Sequence, residues 1–122
     1  MKYKIAISST DGKIVNQHFG RTSLFYIVEV DSESRKYQYL NERKTEPLCV
    51  LQHHKDEELS SFASQFGDCQ YVIVSRIGNW ARLVLESKGI LAYEIPGIIS
   101  ESIDKLLTYI EVQNLLNGIG KG

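Results

Sequence analysis

Chemically capable side chains are most concentrated between Ser9 and Arg21, in Ser9-Thr10-Asp11-Gly12-Lys13-Ile14-Val15-Asn16-Gln17-His18-Phe19-Gly20-Arg21. Asn16, Gln17 and His18 present donors and acceptors in succession. The imidazole of His18 is a good ligand for iron and other transition metals. Lys13 and Arg21 flank them with positive charge that favours an anionic partner. Val15 and Phe19 can anchor the segment, and Gly12 and Gly20 permit tight backbone turns. These residues leave His18 open between two roles, a ligand or a structural imidazole bonded to neighbouring backbone. No second histidine lies at a ligand spacing from it, so a self-sufficient mononuclear metal site is not supported.

A second group of interest is Ser75-Arg76-Ile77-Gly78-Asn79. Gly78-Asn79 at the start of a helix would aim free backbone N–H groups outward, a ready anion site, and Arg76 would add charge on the same side. Read blandly, Asn79 is an N-cap and Arg76 a surface cation. Cys49 and His53 stand four apart, with His54 adjacent, and on a helix would share a face. Pro47 opposes an earlier helix start, and two ligands do not complete a site. Cys69 precedes a buried strand and reads as a small core hydrophobe.

Positioning these groups requires a scaffold. Tyr3–Ser8 alternates as a first strand, Asp11-Gly12 marks a turn, and residues 13–21 form a loop. Leu24–Val30 and Lys36–Leu40 form a hairpin around Asp31-Ser32-Glu33-Ser34, followed by a charged connector from Glu42 to Pro47. Leu59, Phe62, Ala63 and Phe66 mark a helix stopped at Gly67. Tyr71–Val74 reads as a strand buried on both faces. A second helix, with Gly78-Asn79 as its cap, carries Ala81, Val84 and Leu85 and closes at Gly89. Ile90–Ile95 is a fifth strand. Ser100 caps a last helix bearing Ile103, Leu106, Leu107 and Ile110. Residues 1–116 read as a single α/β domain and residues 117–122 as a flexible tail.

A hairpin followed by right-handed crossovers gives a mixed five-stranded sheet, order 3-2-1-4-5, with strand two antiparallel and three helices. Strands one and four then lie side by side and parallel, and open α/β sheets bind ligands at such carboxyl ends. The loops 9–20 and 75–79 emerge together there. A loop of about ten residues between adjacent strands is itself a mark of a site. Its polar residues lack obvious partners, so it is expected to be mobile when empty.

Composition removes several functions. A net charge of -1 opposes bulk nucleic-acid binding. No apolar run suits a signal peptide or membrane span, so a cytoplasmic location is expected. The first and fourth strands carry no Asp or Glu, which leaves Asp11 as the lone nearby acid and no two-metal nuclease site. No Gly-x-Ser-x-Gly elbow exists, and neither cysteine has a nucleophile's context. A non-catalytic role is expected.

The run Thr10-Asp11-Gly12-Lys13-Ile14-Val15-Asn16-Gln17-His18-Phe19-Gly20-Arg21 resembles the dinitrogenase iron–molybdenum cofactor biosynthesis family, which contains the NifX-like carriers and the C-terminal tail of the cofactor-precursor synthase. Val74-Ser75-Arg76-Ile77-Gly78 and Leu85-Glu86-Ser87-Lys88-Gly89-Ile90 extend the resemblance over roughly Lys4 to Ile110. It implies a ribonuclease-H-like sheet. It also implies a carrier or accessory role in nitrogen fixation, binding an iron–sulfur cluster or iron–molybdenum cofactor precursor, with nitrogenase assembly proteins as donor and acceptor. His18 would be the metal contact, and Asn16, Arg21, Arg76 and Gly78 would complete the cofactor-binding set. An imidazole with cationic side chains and backbone amides can hold an anionic cluster reversibly, whereas four thiolates would tend to keep it. Many family members place a cysteine shortly after the Ile-Gly, where this chain has Trp80. The alternative is a regulatory or interaction module that binds another anionic small molecule or a protein, unrelated to nitrogenase.

Overall fold

The computed structural model describes residues 1–46 and 56–120. Cys49, His53 and His54, and with them the Cys49/His53 pair, lie outside the described residues, as do Lys121 and Gly122. In chain order the elements are β1 (Lys2–Ser8), β2 (Ile14–Val15), a 3₁₀ turn (Phe19–Arg21), β3 (Leu24–Asp31), β4 (Tyr37–Lys44), α1 (Asp56–Ser64), β5 (Tyr71–Val74), α2 (Asn79–Ser87), β6 (Leu91–Glu94), β7 (Gly97–Ile98) and α3 (Ile99–Gly120). The large sheet runs β4-β3-β1-β5-β6, and β2 pairs with β7 in a separate two-stranded ribbon. β1 is antiparallel to β3 and parallel to β5, and β6 is parallel to β5, so the sheet is mixed.

Strand alternation divides the core between the two faces of the sheet. Ala6, Phe25, Ile27, Val72 and Val74 face α1 and α2, meeting Leu59, Phe62, Ala63 and Leu85. Ile5, Ile7, Val28, Val30 and Ile73 face α3, meeting Ile99, Ile103, Leu106, Leu107 and Ile110. β5 is apolar throughout because helices cover both its faces. Each fully buried Ile, Leu or Phe side chain stabilises this arrangement by about 1.5–3 kcal/mol.

Besides the β2–β7 ribbon, which falls partly in the segment read as loop, and a start of α3 at Ile99 instead of after a Ser100 cap, four features differ from what the sequence predicts. β4 runs to Lys44 instead of stopping at Leu40, because pairing from Leu24↔Lys44 to Val30↔Tyr37 carries even its polar half into the ladder. α1 ends at Ser64, and Phe66 is buried in the turn that follows. Gly78, not Asn79, is the N-cap of α2. α3 continues through Gly118 to Gly120, into the segment from 117 expected to be a flexible tail; a glycine lowers helix propensity by about 1 kcal/mol without ending a helix that nothing else stops.

Two arginines fasten the layers. Arg35, in the left-handed region at φ 60, reaches α3 from the β3–β4 turn. It donates to Asp104 Oδ1 at 2.8 Å, Thr108 Oγ1 at 2.8 Å and Glu111 Oε1 at 2.7 Å. Arg43 grips Asp68 through both carboxylate oxygens at 2.9 Å and also donates to the Gln65 carbonyl. That guanidinium brings the Asp68 carboxyl down to about 2, while burial pushes the Cys69 thiol up to about 12.

The depressed Asp68 carboxyl means that the pair's contribution is complete above the ordinary carboxylate range and is lost as pH falls towards 2. The carboxylate is 44% exposed, so the contribution is limited to about 1 kcal/mol. Urea titrations at pH 4 and below should show Asp68→Asn losing less stability on acidification than the parent chain. Parallel acid profiles for the two would contradict this.

Candidate functional site

The segment from Ser9 to Phe19 is folded on itself. The Asp11 carboxylate accepts the N–H groups of Lys13 at 2.9 Å and Ile14 at 3.2 Å, and Ser9 Oγ accepts that of Gly12 at 3.0 Å. The Lys13 and Ile14 amides hold the Asp11 carboxyl below its ordinary value. Asn16 closes the turn. Its Oδ1 accepts the Thr10 N–H at 3.1 Å, and its Nδ2 donates to Thr10 Oγ1 at 2.9 Å. Gly12 sits at φ +75, and a Cβ there would lie 3.0 Å from the Tyr26 ring, so only glycine fits without strain. The segment is anchored in both cores, through Val15 on the α3 side and Phe19 on the α1/α2 side.

From there the chain crosses to the neighbouring loop. Ser75 donates its N–H to the Gln17 carbonyl at 3.0 Å, and Phe19 donates to the Arg76 carbonyl at 2.9 Å, which makes His18 and Arg76 a parallel bridge. Buried Ser8 adds Oγ–H to the Gln17 carbonyl at 3.0 Å. The Phe19 ring packs edge-on against Phe62 at 5.0 Å and Phe25 at 6.2 Å. On the far side, Glu94 Oε2 accepts the Ile77 N–H at 2.9 Å and supports the 75–78 loop from the end of β6.

These contacts shape a cleft of about 440 Å³ at the carboxyl ends of β1 and β5. Phe19, Ile77, Leu59 and Ala81 line its body, with Trp80 beside them, and His18, Arg21, Arg76 and Gly78 also line it. Gly78 opens α2, so the first N–H groups of that helix lie along the cleft. Arg35, Arg43 and Arg82 are engaged with carboxylates. Among the described residues, the exposed side chains of His18, Arg21 and Arg76 have no hydrogen bond or ion pair. One imidazole and two cations therefore border an apolar depression. Among the described residues no three of His, Cys, Asp and Glu cluster as a metal cage, and of these residue types His18 lines the cleft.

Of the five residues singled out from sequence, His18, Arg21, Arg76 and Gly78 line one cleft, and Asn16 does not. Its amide is consumed by Thr10, so it shapes the loop. The premise for a mobile loop also fails, because Ser9, Thr10, Asp11 and Asn16 are one another's partners. Sequence reasoning missed Leu59, Ala81 and Glu94. The first two look like ordinary core positions, and Glu94 lies 17 residues from its partner. Trp80, a large aromatic at the start of α2, carried a signal in the sequence.

The bridge ties the loop to the end of β5, which predicts a rigid backbone there. In hydrogen exchange, the Phe19 and Ser75 amides should be protected nearly as well as those of β1 and β5. Phe19→Ala should cost about 3–5 kcal/mol in urea unfolding, and Asn16→Ala about 1 kcal/mol with faster exchange confined to residues 10–14. Rapid exchange at Phe19 and Ser75 in the parent chain would contradict the rigid loop.

The chain is 26% identical to the FeMo cofactor biosynthesis protein NifB of Chlorobaculum tepidum over 92% of its own length and 26% of that protein's. It is 29% identical to the protein of the same name from Rhodobacter capsulatus, over 75% of this chain and 20% of that one. It thus spans about a quarter or less of these curated relatives. Among solved structures, PH0822 superposes with a TM-score of 0.62 at 25% identity, covering 86% of this chain and 88% of the other. The Methanocaldococcus jannaschii protein mj0327 superposes with a TM-score of 0.53 at 16% identity, covering 88% and 90%, a likeness of fold. Residues 1–109 match the family described as dinitrogenase iron-molybdenum cofactor. The chain belongs to that family.

Proposed function

We propose that residues 1–116 act as one non-catalytic carrier or accessory unit for an iron–sulfur or iron–molybdenum cofactor or its precursor, held in the cleft between the two bridged loops. The ribonuclease-H-like description of the sheet belongs to the same reading. The observation that carries it is the meeting of His18, Arg21 and Arg76, without partners among the described residues, beside the start of α2. An anionic cluster is favoured there by two guanidiniums and by helix N–H groups. His18 supplies the one directional bond to metal. A single protein ligand suits cargo that must leave, since each further thiolate would slow release. Donor and acceptor would be nitrogenase assembly proteins in the reducing cytosol. Among the described residues no helix is long and apolar enough to cross a membrane.

A second reading rests on the apolar body of the cleft. Leu59, Ile77 and Ala81 offer nothing to a cluster that a polar wall would not offer as well. They suit an organic anion with an apolar body, as a regulatory module unrelated to nitrogenase would bind.

Anaerobic titration with an iron–sulfur cofactor precursor, followed by visible absorbance, separates the two. The carrier reading expects binding that His18→Ala weakens at least about tenfold, the size of one lost directional contact. Arg76→Gln should weaken it less and reduce its salt dependence. Asn16→Ala should bind within about twofold of the parent, because Asn16 does not line the cleft. No cluster spectrum in the parent chain, or equal binding by His18→Ala, rejects the carrier reading and leaves the organic anion.

A further inference from the structure

The two edges of the large sheet are not alike. β4 carries a bulge, where Ile27↔Asn41 is followed by Val28↔Tyr39, and ends in Glu42-Arg43-Lys44. Bulges and charges are common ways to block edge-to-edge association. β6 has neither a bulge nor a run of charge. Leu91 and Ile95 direct their N–H groups inward to Gln70 and Val74 at 3.1 and 3.0 Å. By alternation, Ala92 and Glu94 direct theirs, with their carbonyls, out of the sheet.

That edge is the floor of a groove of about 410 Å³, walled on one side by Arg82 and Glu86 of α2 and on the other by Tyr109 of α3. Leu91, Tyr109 and, one turn further along α3, Val112 are exposed. Tyr93 stacks edge-on with Tyr109 at 5.1 Å, which stiffens that wall. Arg82 Nη2 approaches Glu94 Oε1 at 3.8 Å at one end of the groove.

We infer that the β6 edge is a self-association surface, and that its occupant is the β6 edge of a second copy, paired antiparallel about a two-fold axis at Tyr93. Ala92 then lies opposite Glu94 of the second copy, and the two outward-facing residues exchange both backbone hydrogen bonds. The two sheets continue as one of ten strands. Charge selects this occupant. The α2 wall carries a cation and an anion four residues apart, with Arg82 at the Glu94 end of the strand. The two-fold reverses that order, so Arg82 faces Glu86 of the second copy and Glu86 faces its Arg82. An isologous contact of this kind is closed and stops at two copies. The cleft at His18 lies outside it, so the inference stands independently of the cargo.

Sedimentation velocity of the full chain from low to high micromolar concentration tests this. The parent chain should pass from monomer to dimer. Arg82→Glu and Glu86→Arg, each placing like charges in apposition, should weaken the dimer at least about tenfold. The double exchange Arg82→Glu/Glu86→Arg should recover to within about threefold, which neither substitution would do through a purely structural effect. Ala92→Pro, which removes an outward N–H and no inward one, should abolish dimers while circular dichroism stays unchanged. The inference is overturned by a chain that is monomeric throughout, by dimers indifferent to these substitutions, or by single reversals that weaken and a double exchange that does not recover.

Discussion

Two backbone hydrogen bonds crossing between residues 17–19 and residues 75–76 determine whether this molecule has a site at all. β1 and β5 are parallel neighbours, and their chains would otherwise diverge into separate loops above the sheet. The chain that leaves β1 at Ser8 returns at residues 17–19 and runs beside the end of β5, where the bridged pair is His18 and Arg76. Phe19 makes the bridge durable. Its ring occupies the aromatic cluster of Phe25, Phe62 and Phe66, so the backbone carrying His18 cannot lift without opening the core. Rigidity of the backbone and exposure of the side chains are therefore obtained from adjacent residues of one short segment.

The remaining local features serve that constraint. The Asp11 and Asn16 turns take up the slack between Ser8 and Gln17, and β2 ties the same excursion to β7 ahead of α3. Glu94 holds the opposite loop from beneath. Arg35 and Arg43 fasten peripheral elements, and their charges are spent on carboxylates. Arg21 and Arg76 are left to face solvent beside the imidazole. Burying an unpaired guanidinium would be expensive, so these charges lie on the cleft's border while Phe19 and Ile77 fill its depth.

Much of this was legible in the residues. Alternation gave β1 and β3, the apolar run gave β5, and helical spacing gave the buried faces of α2 and α3, because each is a local pattern with its own period. A mixed sheet of five strands with three helices followed from their order. The convergence of His18 with Arg76 was legible because parallel neighbours release their chains at the same edge. What escaped was decided by contacts distant in sequence. β2 is two residues long and exists only because β7 pairs with it, through Ile14↔Ile98 and Val15↔Gly97, far along the chain. β4 extends through Asn41-Glu42-Arg43-Lys44 because β3 continues beside it, against its own polarity. Asn16 was read as a ligand-facing amide because its partner, Thr10, is revealed only when the chain folds back over six residues.

The central claim is that the imidazole of His18 touches the cargo's metal. Pulsed electron paramagnetic resonance on chain labelled with ¹⁵N-histidine and loaded with a paramagnetic iron–sulfur cofactor precursor tests it at the atom concerned. A histidine nitrogen coupling that is present in the parent and absent from His18→Ala is the expected result. A loaded parent without histidine coupling, or a coupling that persists in His18→Ala, would contradict it.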